Sequence, residues 1–232
     1  MTKQFAELSN LSMILLVVSI LPFMGFFAYV LLRSPLFSPV YVWRAKRAYK
    51  KKSYARAAKL YERLHDLEGV RKGNMYAKKA AQSHELAGQL RVARDWYAKA
   101  ADYNKVGALM VEAGQIEDAI ALYQQEKMPQ RLALLYENQE SFLEAAAIYR
   151  ELKQPRKEES MYRKATFKGD PAGAQEAKLH LARLYHQLQR VEESRRFFEE
   201  ASAAIENEPA LQQSSKLLKL RDDVAFLLQR LT

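Results

Sequence analysis

The side chains of this sequence that could hold a metal or move a proton are four histidines and three pairs of adjacent glutamates. They are His65, His84, His180 and His186, and Glu158-Glu159, Glu192-Glu193 and Glu199-Glu200. No two histidines stand at i and i+4, the spacing that puts two metal ligands on one helix face, and the HExxH motif is absent. Adjacent glutamates do not face each other on a helix, so each pair is more typical of a solvated face than of acid–base catalysis.

Other catalytic signatures are missing from the sequence too. The absence of cysteine excludes disulfides, thiolate metal ligands and cysteine nucleophiles from these 232 residues. The sequence has no Walker A loop, no GxGxxG turn and no GxSxG nucleophile elbow. We therefore expect no enzymatic activity, no catalytic, cofactor-binding or metal-binding residues, no cofactor and no small-molecule substrate.

The composition predicts an all-α fold. Gly and Pro number only 8 and 7. The commonest residues are Ala, Leu, Lys, Glu, Gln and Arg, which are the strong helix formers.

Residues 11–32 form an apolar run of 22 residues without a charge. As a helix the run would extend roughly 33 Å, enough to cross the hydrocarbon layer of about 30 Å. A cleaved signal peptide and a buried core helix are the alternatives. The run exceeds a signal peptide's usual apolar length, no small-x-small cleavage pattern follows it, and its flank is basic. We predict a transmembrane anchor over residues 1–33.

The net charge of +10 is concentrated beside this run. Residues 33–59 contain nine Lys or Arg and no Asp or Glu, whereas residues 60–232 carry a net charge of about +1. The positive-inside rule predicts a single-pass protein with its N-terminus outside and its bulk in the cytoplasm, and we expect a bacterial cytoplasmic (inner) membrane.

The same basic segment predicts contact with anionic lipid headgroups. The residues expected at the membrane surface are Arg44, Lys46, Arg47, Lys50, Lys51 and Lys52. The alternatives are a signal for topology alone, a solvated helix face, or a tail that binds nucleic acid. The position beside an apolar run accounts for the charge, so we expect no nucleic-acid partner.

One pattern recurs along the rest of the chain: a large residue, Ala three later, and two large residues at plus six and plus seven. Its copies are Tyr54-x-x-Ala57-x-x-Leu60-Tyr61, Leu90-x-x-Ala93-x-x-Trp96-Tyr97, Ile116-x-x-Ala119-x-x-Leu122-Tyr123, Phe142-x-x-Ala145-x-x-Ile148-Tyr149 and the degraded Val191-x-x-Ser194-x-x-Phe197-Phe198. This spacing occupies one helix face. A further apolar helix precedes four copies, at residues 75–86, 106–112, 132–136 and 179–188, so the unit is a helical hairpin whose apolar face is buried by stacking.

The Ala-x-x-φ-Tyr helix, where φ is a large apolar residue, and the turn glycines Gly88 and Gly114 resemble the tetratricopeptide (TPR) repeat family over about residues 50–201. The steps of 36, 26, 26 and 49 residues depart from that family's usual 34. The long step predicts an extra helix at 156–167. The resemblance implies a TPR-like solenoid of helical hairpins at 53–201. A basic juxtamembrane segment at 34–52 would precede it, and a capping helix within 202–232, at about 210–231, would follow.

The resemblance also implies a partner-binding groove lined by the first helix of each unit. Candidate groove residues are Asn74, Lys78, Asn104, Lys105, Gln130 and Arg131, although ordinary solvated positions remain the alternative for each. The family's carboxylate-clamp spacing is absent. The function implied is a membrane-anchored scaffold or adaptor that recruits or assembles protein partners at the cytoplasmic membrane surface, including subunits of a membrane-associated complex. The alternatives are an accessory structural subunit of a larger membrane enzyme or motor complex, and a receptor for targeting sequences.

Overall fold

The structure, a computed structural model, describes residues 35–229, where every regular element is a helix. A 3-10 turn at Pro35–Phe37 precedes twelve α-helices in this range. They are α1 (Ser38–Lys50), α2 (Tyr54–Leu86), α3 (Leu90–Lys99), α4 (Tyr103–Glu112), α5 (Ile116–Gln125), α6 (Pro129–Asn138), α7 (Phe142–Glu151), α8 (Pro155–Lys168), α9 (Pro171–Gln187), α10 (Val191–Asn207), α11 (Pro209–Gln212) and α12 (Ser215–Gln229). The predicted all-α fold of helical hairpins is confirmed for this range.

Every copy of the repeated pattern begins at the first residue of a helix. The five starting residues are Tyr54, Leu90, Ile116, Phe142 and Val191. The small residue three positions later is fully buried in each copy, as Ala57, Ala93, Ala119, Ala145 and Ser194. The polar Ser194 is satisfied there because its hydroxyl donates to the Ala182 carbonyl at 2.7 Å. The pattern therefore marks helix packing, as the sequence predicted.

The short turns between helices share one geometry. The residue two positions before the next helix has a positive φ in eight turns, at Lys52, Gly88, Ala101, Gly114, Lys127, Glu140, Lys153 and Gln189. At Gly88, for example, the amide donates to Glu85 O at 3.0 Å, and the next amide, of Gln89, donates to His84 O at 2.9 Å. These two bonds define the Schellman motif, which satisfies carbonyls left unpaired at a helix C-terminus.

The turn geometry explains the unusual 26-residue repeat. Helices α3 to α7 each have ten residues. Three-residue turns join them, so the positive-φ residue recurs every 13 residues from position 88 to position 153. Two such helix–turn segments make one repeat, which is shorter than a tetratricopeptide unit because its helices are shorter.

The chain divides into two compact units, Met1–Gln115 and Ile116–Thr232, a boundary that the sequence did not predict. In the first unit, α1 packs on α2, α2 on α3, and α3 on α4. Helix α2 is two helices joined at Gly69, whose φ of 56° and ψ of −154° interrupt it. Across this kink, His65 Nδ1 lies 2.9 Å from Gly73 O, and the His65 ring meets Trp96 of α3 edge-on at 5.3 Å.

The second unit contains α5 to α12. Its largest cluster of buried side chains joins α6, α7, α8 and α9, with Tyr149, Tyr162 and Tyr185 among the largest members. Helix α12 packs on α9 and α10. Its residues Val224 and Leu228 contact Ala182, while Leu217 joins the cluster that contains Ile205.

Three predictions from the sequence differ from the structure. The segment interpreted as a basic juxtamembrane stretch contains helix α1 at residues 38–50, because Tyr41, Ala45 and Ala48 bury one helix face against α2. Helix α1 is thus the first helix of the first hairpin, for which the sequence analysis had found no preceding helix. The terminal helix expected at 210–231 is divided into α11 and α12. The helix expected at 132–136 extends over Pro129–Asn138.

The predicted transmembrane anchor, residues 1–33, lies outside the described residues. Among residues 35–229, no helix combines the length and the apolarity needed to cross a bilayer.

Replacing Ala119 by Leu tests the register of the repeats. Ala119 is fully buried in α5, so three added carbons should overpack the helix contact and lower the free energy of unfolding by about 1–3 kcal/mol. The matched control is Ala121→Leu, because Ala121 is exposed on the same helix and its replacement should change stability by less than about 0.5 kcal/mol. Equal melting temperatures for the two variants would refute the register.

Replacing a glycine by alanine at one turn, and an alanine by glycine at another, tests the positive-φ position that the turns share. No atom lies within 4 Å of a Cβ built on Gly88, so Gly88→Ala should cost about 1 kcal/mol through backbone strain alone. Ala101→Gly relieves the same strain but makes the unfolded chain more flexible, so we expect a gain of about 0.5 kcal/mol. Thermal unfolding that moves in the same direction for both exchanges would contradict the turn geometry.

Candidate functional site

The predicted membrane-surface residues divide into two groups around a pocket at the first hairpin. We call it the basic pocket; its volume is about 280 Å³, and its lining is Trp43, Arg44, Arg47, Ala48, Lys51, Ser53, Arg56 and Leu60. Arg44, Arg47 and Lys51 recur at i, i+3 and i+7 and therefore share one face of α1. The other predicted residues, Lys46, Lys50 and Lys52, lie outside the pocket lining. Arg56 reaches it from α2, and the sequence analysis did not select it.

The four cations of the basic pocket make no ion pair within 4.0 Å with any carboxylate of the described residues. The local sequence explains this, because residues 33–59 contain no Asp or Glu. The Arg47 guanidinium lies 5.2 Å from the centre of the Trp43 ring, and the adjacent face of α1 is fixed against α2 by buried Tyr41 and Ala45. The pocket therefore offers an anion up to four positive charges and an aromatic wall.

Two of the four predicted groove residues of the first unit, Lys78 and Lys105, form ion pairs inside that unit. Lys78 Nζ lies 2.6 Å from Asp102 Oδ2, and Lys105 Nζ lies 3.0 Å from Glu85 Oε1. Both pairs join α2 to the start of α4. Asn104 also makes an interaction, while Asn74 is exposed. The two lysines thus have carboxylate partners of their own.

A tyrosine strengthens this contact between helices. The Tyr97 hydroxyl donates to Glu85 Oε2 at 2.5 Å. Burial acts to raise the pKa of the Glu85 carboxyl, but the hydrogen bonds from Tyr97 and Lys105 outweigh burial and lower it. Burial, and then the bond to Glu85, raise the pKa of the Tyr97 hydroxyl. The arrangement is a structural tie between neighbouring helices.

In the second unit, the predicted groove residues Gln130 and Arg131 are exposed on α6. Arg131 has an interaction partner. A different surface of this unit is more open to a partner, and the sequence analysis missed it. We call it the α8 groove; its volume is about 500 Å³, and it is lined by Arg156, Glu159, Ser160, Arg163, Lys164 and Phe167.

Phe167 dominates the α8 groove because 88% of its surface is exposed. Arg163 donates to Glu159 Oε1 at 3.0 Å and to the Tyr185 hydroxyl at 2.6 Å, and Lys164 pairs with Glu137 at 2.5 Å. Arg156 has no ion pair with the described residues. The groove therefore combines one exposed aromatic ring with a surplus of positive charge.

Two of the histidines, His84 and His180, and the Glu158-Glu159 pair contribute to contacts between helices in the described range. His84 is buried, with Nδ1 and Nε2 each 2.6 Å from an oxygen, of Gln89 and Glu62 respectively. The His180 ring stacks on Tyr162 at 5.0 Å. Burial raises the pKa of Glu158, whereas hydrogen bonds from Tyr185 and Arg163 overcome burial and lower the pKa of Glu159. Within residues 35–229, no three metal-binding side chains gather around one point.

The shifted pKa of Glu176 predicts how the stability of the protein depends on pH. His180, whose Nε2 lies 3.7 Å away, and then Lys216 of α12 at 2.7 Å outweigh burial and hold its pKa at about 2, below the ordinary value of 4.5. A folded-state pKa below the unfolded one stabilises the protein above pH 4.5, and this contribution is lost as the pH falls toward 2.

Glu176→Gln should therefore lower the free energy of unfolding by about 1–2 kcal/mol at pH 7, with solvent screening at the exposed Lys216 included. The difference from the unsubstituted protein should shrink below pH 4.5 in thermal unfolding curves. The control is Glu199→Gln, an exposed carboxyl without an ion pair in the described range. A pH-independent loss for Glu176→Gln would contradict this assignment.

Comparisons with known proteins give distant structural likenesses, which include two crystal structures. No protein-family model matches the chain, and no curated protein matches it. A crystal structure of a TPR-repeat protein from Bacteroides fragilis is 14% identical, with a TM-score of 0.39, and covers 82% of this chain and 98% of its own. The crystal structure of BtubC from P. vanneervenii is 15% identical, with a TM-score of 0.29, and covers 73% and 79%. Because both TM-scores are low, the description of the fold rests on the helices and contacts of this chain.

Proposed function

We propose that this chain is a membrane-anchored scaffold that binds other proteins through its helical hairpins at the cytoplasmic face of a membrane. The observation that carries the proposal is the exposed Phe167 ring in the α8 groove. Aromatic residues, phenylalanine among them, and arginine are enriched in the buried core of protein interfaces.

The aromatic side chains in the repeated pattern have a different role. Tyr97, Tyr149 and Trp96 are buried between helices and hold the hairpins together. Phe167 contributes little to that packing, because only about an eighth of its surface is covered. Full burial of a phenylalanine side chain against a partner would be worth about 1.5–3 kcal/mol. An apolar partner residue is therefore the natural occupant above this ring.

The charges around Phe167 indicate the rest of the partner surface. Arg163 and Lys164 are each balanced by a carboxylate, Glu159 and Glu137, whereas Arg156 adds a positive charge without a described ion-pair partner. Complementary electrostatic potential on two protein surfaces favours correct docking and disfavours binding of other proteins. We propose a protein partner that presents an apolar side chain next to an acidic residue.

The membrane side of the proposal rests on sequence. The apolar run at 11–32 ends shortly before α1, and the basic segment that follows would lie on the cytoplasmic side. A scaffold in this position would hold its partners within reach of the membrane surface.

Replacing Phe167 by Ser tests the scaffold function. The full-length protein, purified from native membranes in mild detergent, should lose its captured partners at least tenfold, equivalent to about 1.4 kcal/mol. Phe226→Ser is the matched control, because Phe226 is 54% exposed on α12 and does not line the α8 groove. Mass spectrometry would measure the captured proteins.

The composition of the captured set distinguishes the kinds of partner. Membrane proteins in constant ratio would identify an accessory subunit of a larger complex, whereas a variable set of soluble proteins would identify a recruiting adaptor. The scaffold proposal fails if correctly folded full-length protein retains no partner, or if Phe167→Ser and Phe226→Ser have equal effects.

A further inference from the structure

We propose that the basic pocket binds the headgroup phosphate of an anionic phospholipid. The inference rests on the proposed membrane location and assigns a defined binding site to it. Arg44 and Arg47 of α1, Lys51 directly after it and Arg56 of α2 line one concave surface that contains no acidic side chain. Phosphate oxygens suit this lining because guanidinium groups can donate two parallel hydrogen bonds to them.

The hairpin geometry creates the pocket. Helix α1 ends at Lys50, and the left-handed residue Lys52 reverses the chain so that α2 begins at Tyr54. This reversal brings Arg56 to the cations of α1. A cluster of like charges is unfavourable when left without counter-ions, so a bound anion would relieve the repulsion among them.

A second observation identifies a lipid as the source of the phosphate. Val40 and Trp43 lie on the side of α1 that bears Arg47, and Leu36 precedes them in the 3-10 turn; these side chains are 49%, 58% and 79% exposed, respectively. Exposed apolar side chains are unfavourable in water but stable at the headgroup boundary of a bilayer, where tryptophan is enriched.

The order of these residues matches the layers of a membrane surface. The apolar side chains come first along the chain, nearest the apolar run at 11–32. Arg44 and Arg47 follow within two helical turns of Trp43, and Lys51 and Arg56 come after them. Helix α1 would lie with Leu36, Val40 and Trp43 among the acyl-chain ends, which brings the pocket to the level of the phosphates. A free phosphate ion would use the cations but leave the apolar residues in water.

Two triple variants that remove the same number of charges distinguish lipid binding in a defined pocket from general electrostatic attraction between the basic segment and anionic lipid. Arg44→Gln, Arg47→Gln and Lys51→Gln remove three charges from the pocket, whereas Lys46→Gln, Lys50→Gln and Lys52→Gln remove three charges beside it. Diffuse attraction depends on the number of charges near the surface, so it predicts equal losses. A binding pocket predicts a loss at least tenfold larger for the first triple.

The measurement is native mass spectrometry of the full chain in detergent micelles, titrated with phosphatidic acid and with phosphatidylcholine of the same acyl chains. We expect retained phosphatidic acid to fall at least tenfold in the pocket triple and less than threefold in the control triple. Arg56→Gln should also weaken the binding of phosphatidic acid, and it tests the contribution of the pocket residue that α2 supplies. Circular dichroism checks that each variant is folded.

Equal losses in the two triples, or no loss in either, would overturn the pocket. Displacement of the lipid by millimolar inorganic phosphate would overturn the lipid assignment and identify a site for free phosphate. Alkaline carbonate extraction tests the membrane anchor separately. Release of the protein by carbonate would refute the anchored scaffold, while the micelle titration would still decide whether the pocket binds phosphatidic acid.

Discussion

A helix of ten residues forms too few hydrogen bonds to be stable alone in water, so helices α3 to α7 depend on packing against their neighbours. The small residue at the fourth position of each repeated pattern makes that packing possible. Ala93, Ala119 and Ala145 are fully buried, where any larger side chain would separate the helices. The paired large residues then fill the space beside the alanine, and the turns set the spacing between successive helices.

The features that depend on this packing were predictable from sequence. The five pattern copies gave the start of a helix in every case, because the spacing of large and small residues follows directly from helix geometry. The turns at Gly88 and Gly114 were also recognisable. Equivalent turns at Lys127 and Glu140 were not, because an ordinary residue in the left-handed region has no distinct side-chain signature.

Helix α1 shows how a high density of charged residues can obscure the apolar spacing that predicts a packed helix. Its buried Tyr41, Ala45 and Ala48 have helical spacing, but the dense cations around them favoured a juxtamembrane interpretation. Once α1 is paired with α2, the predicted membrane-surface residues separate into those inside and outside the pocket. Arg56 could not be assigned from spacing alone, because its place depends on a turn between two helices. Phe167 was inside a predicted helix, yet its exposure depends on how α8 packs.

The two surfaces complement each other in the proposed scaffold. One unit presents cations without an ion pair among residues 35–229, beside exposed apolar residues, and this combination suits a phospholipid surface. The other unit presents an aromatic ring within a groove, which suits a protein. The charged and aromatic residues of both surfaces lie outside the defining positions of the repeated pattern, which serve helix packing, although Leu60 of the first copy also lines the basic pocket. The repeats thus provide the frame, and residues that depart from their pattern provide the contacts.

Site-specific crosslinking in living cells tests the scaffold most directly. A photoreactive phenylalanine analogue, p-benzoylphenylalanine, would be incorporated at position 167 and, for comparison, at position 226. The account predicts a discrete crosslinked protein partner in the membrane fraction from position 167 and little from position 226. Crosslinks of equal yield from both positions, or none from position 167 in folded protein, would contradict it.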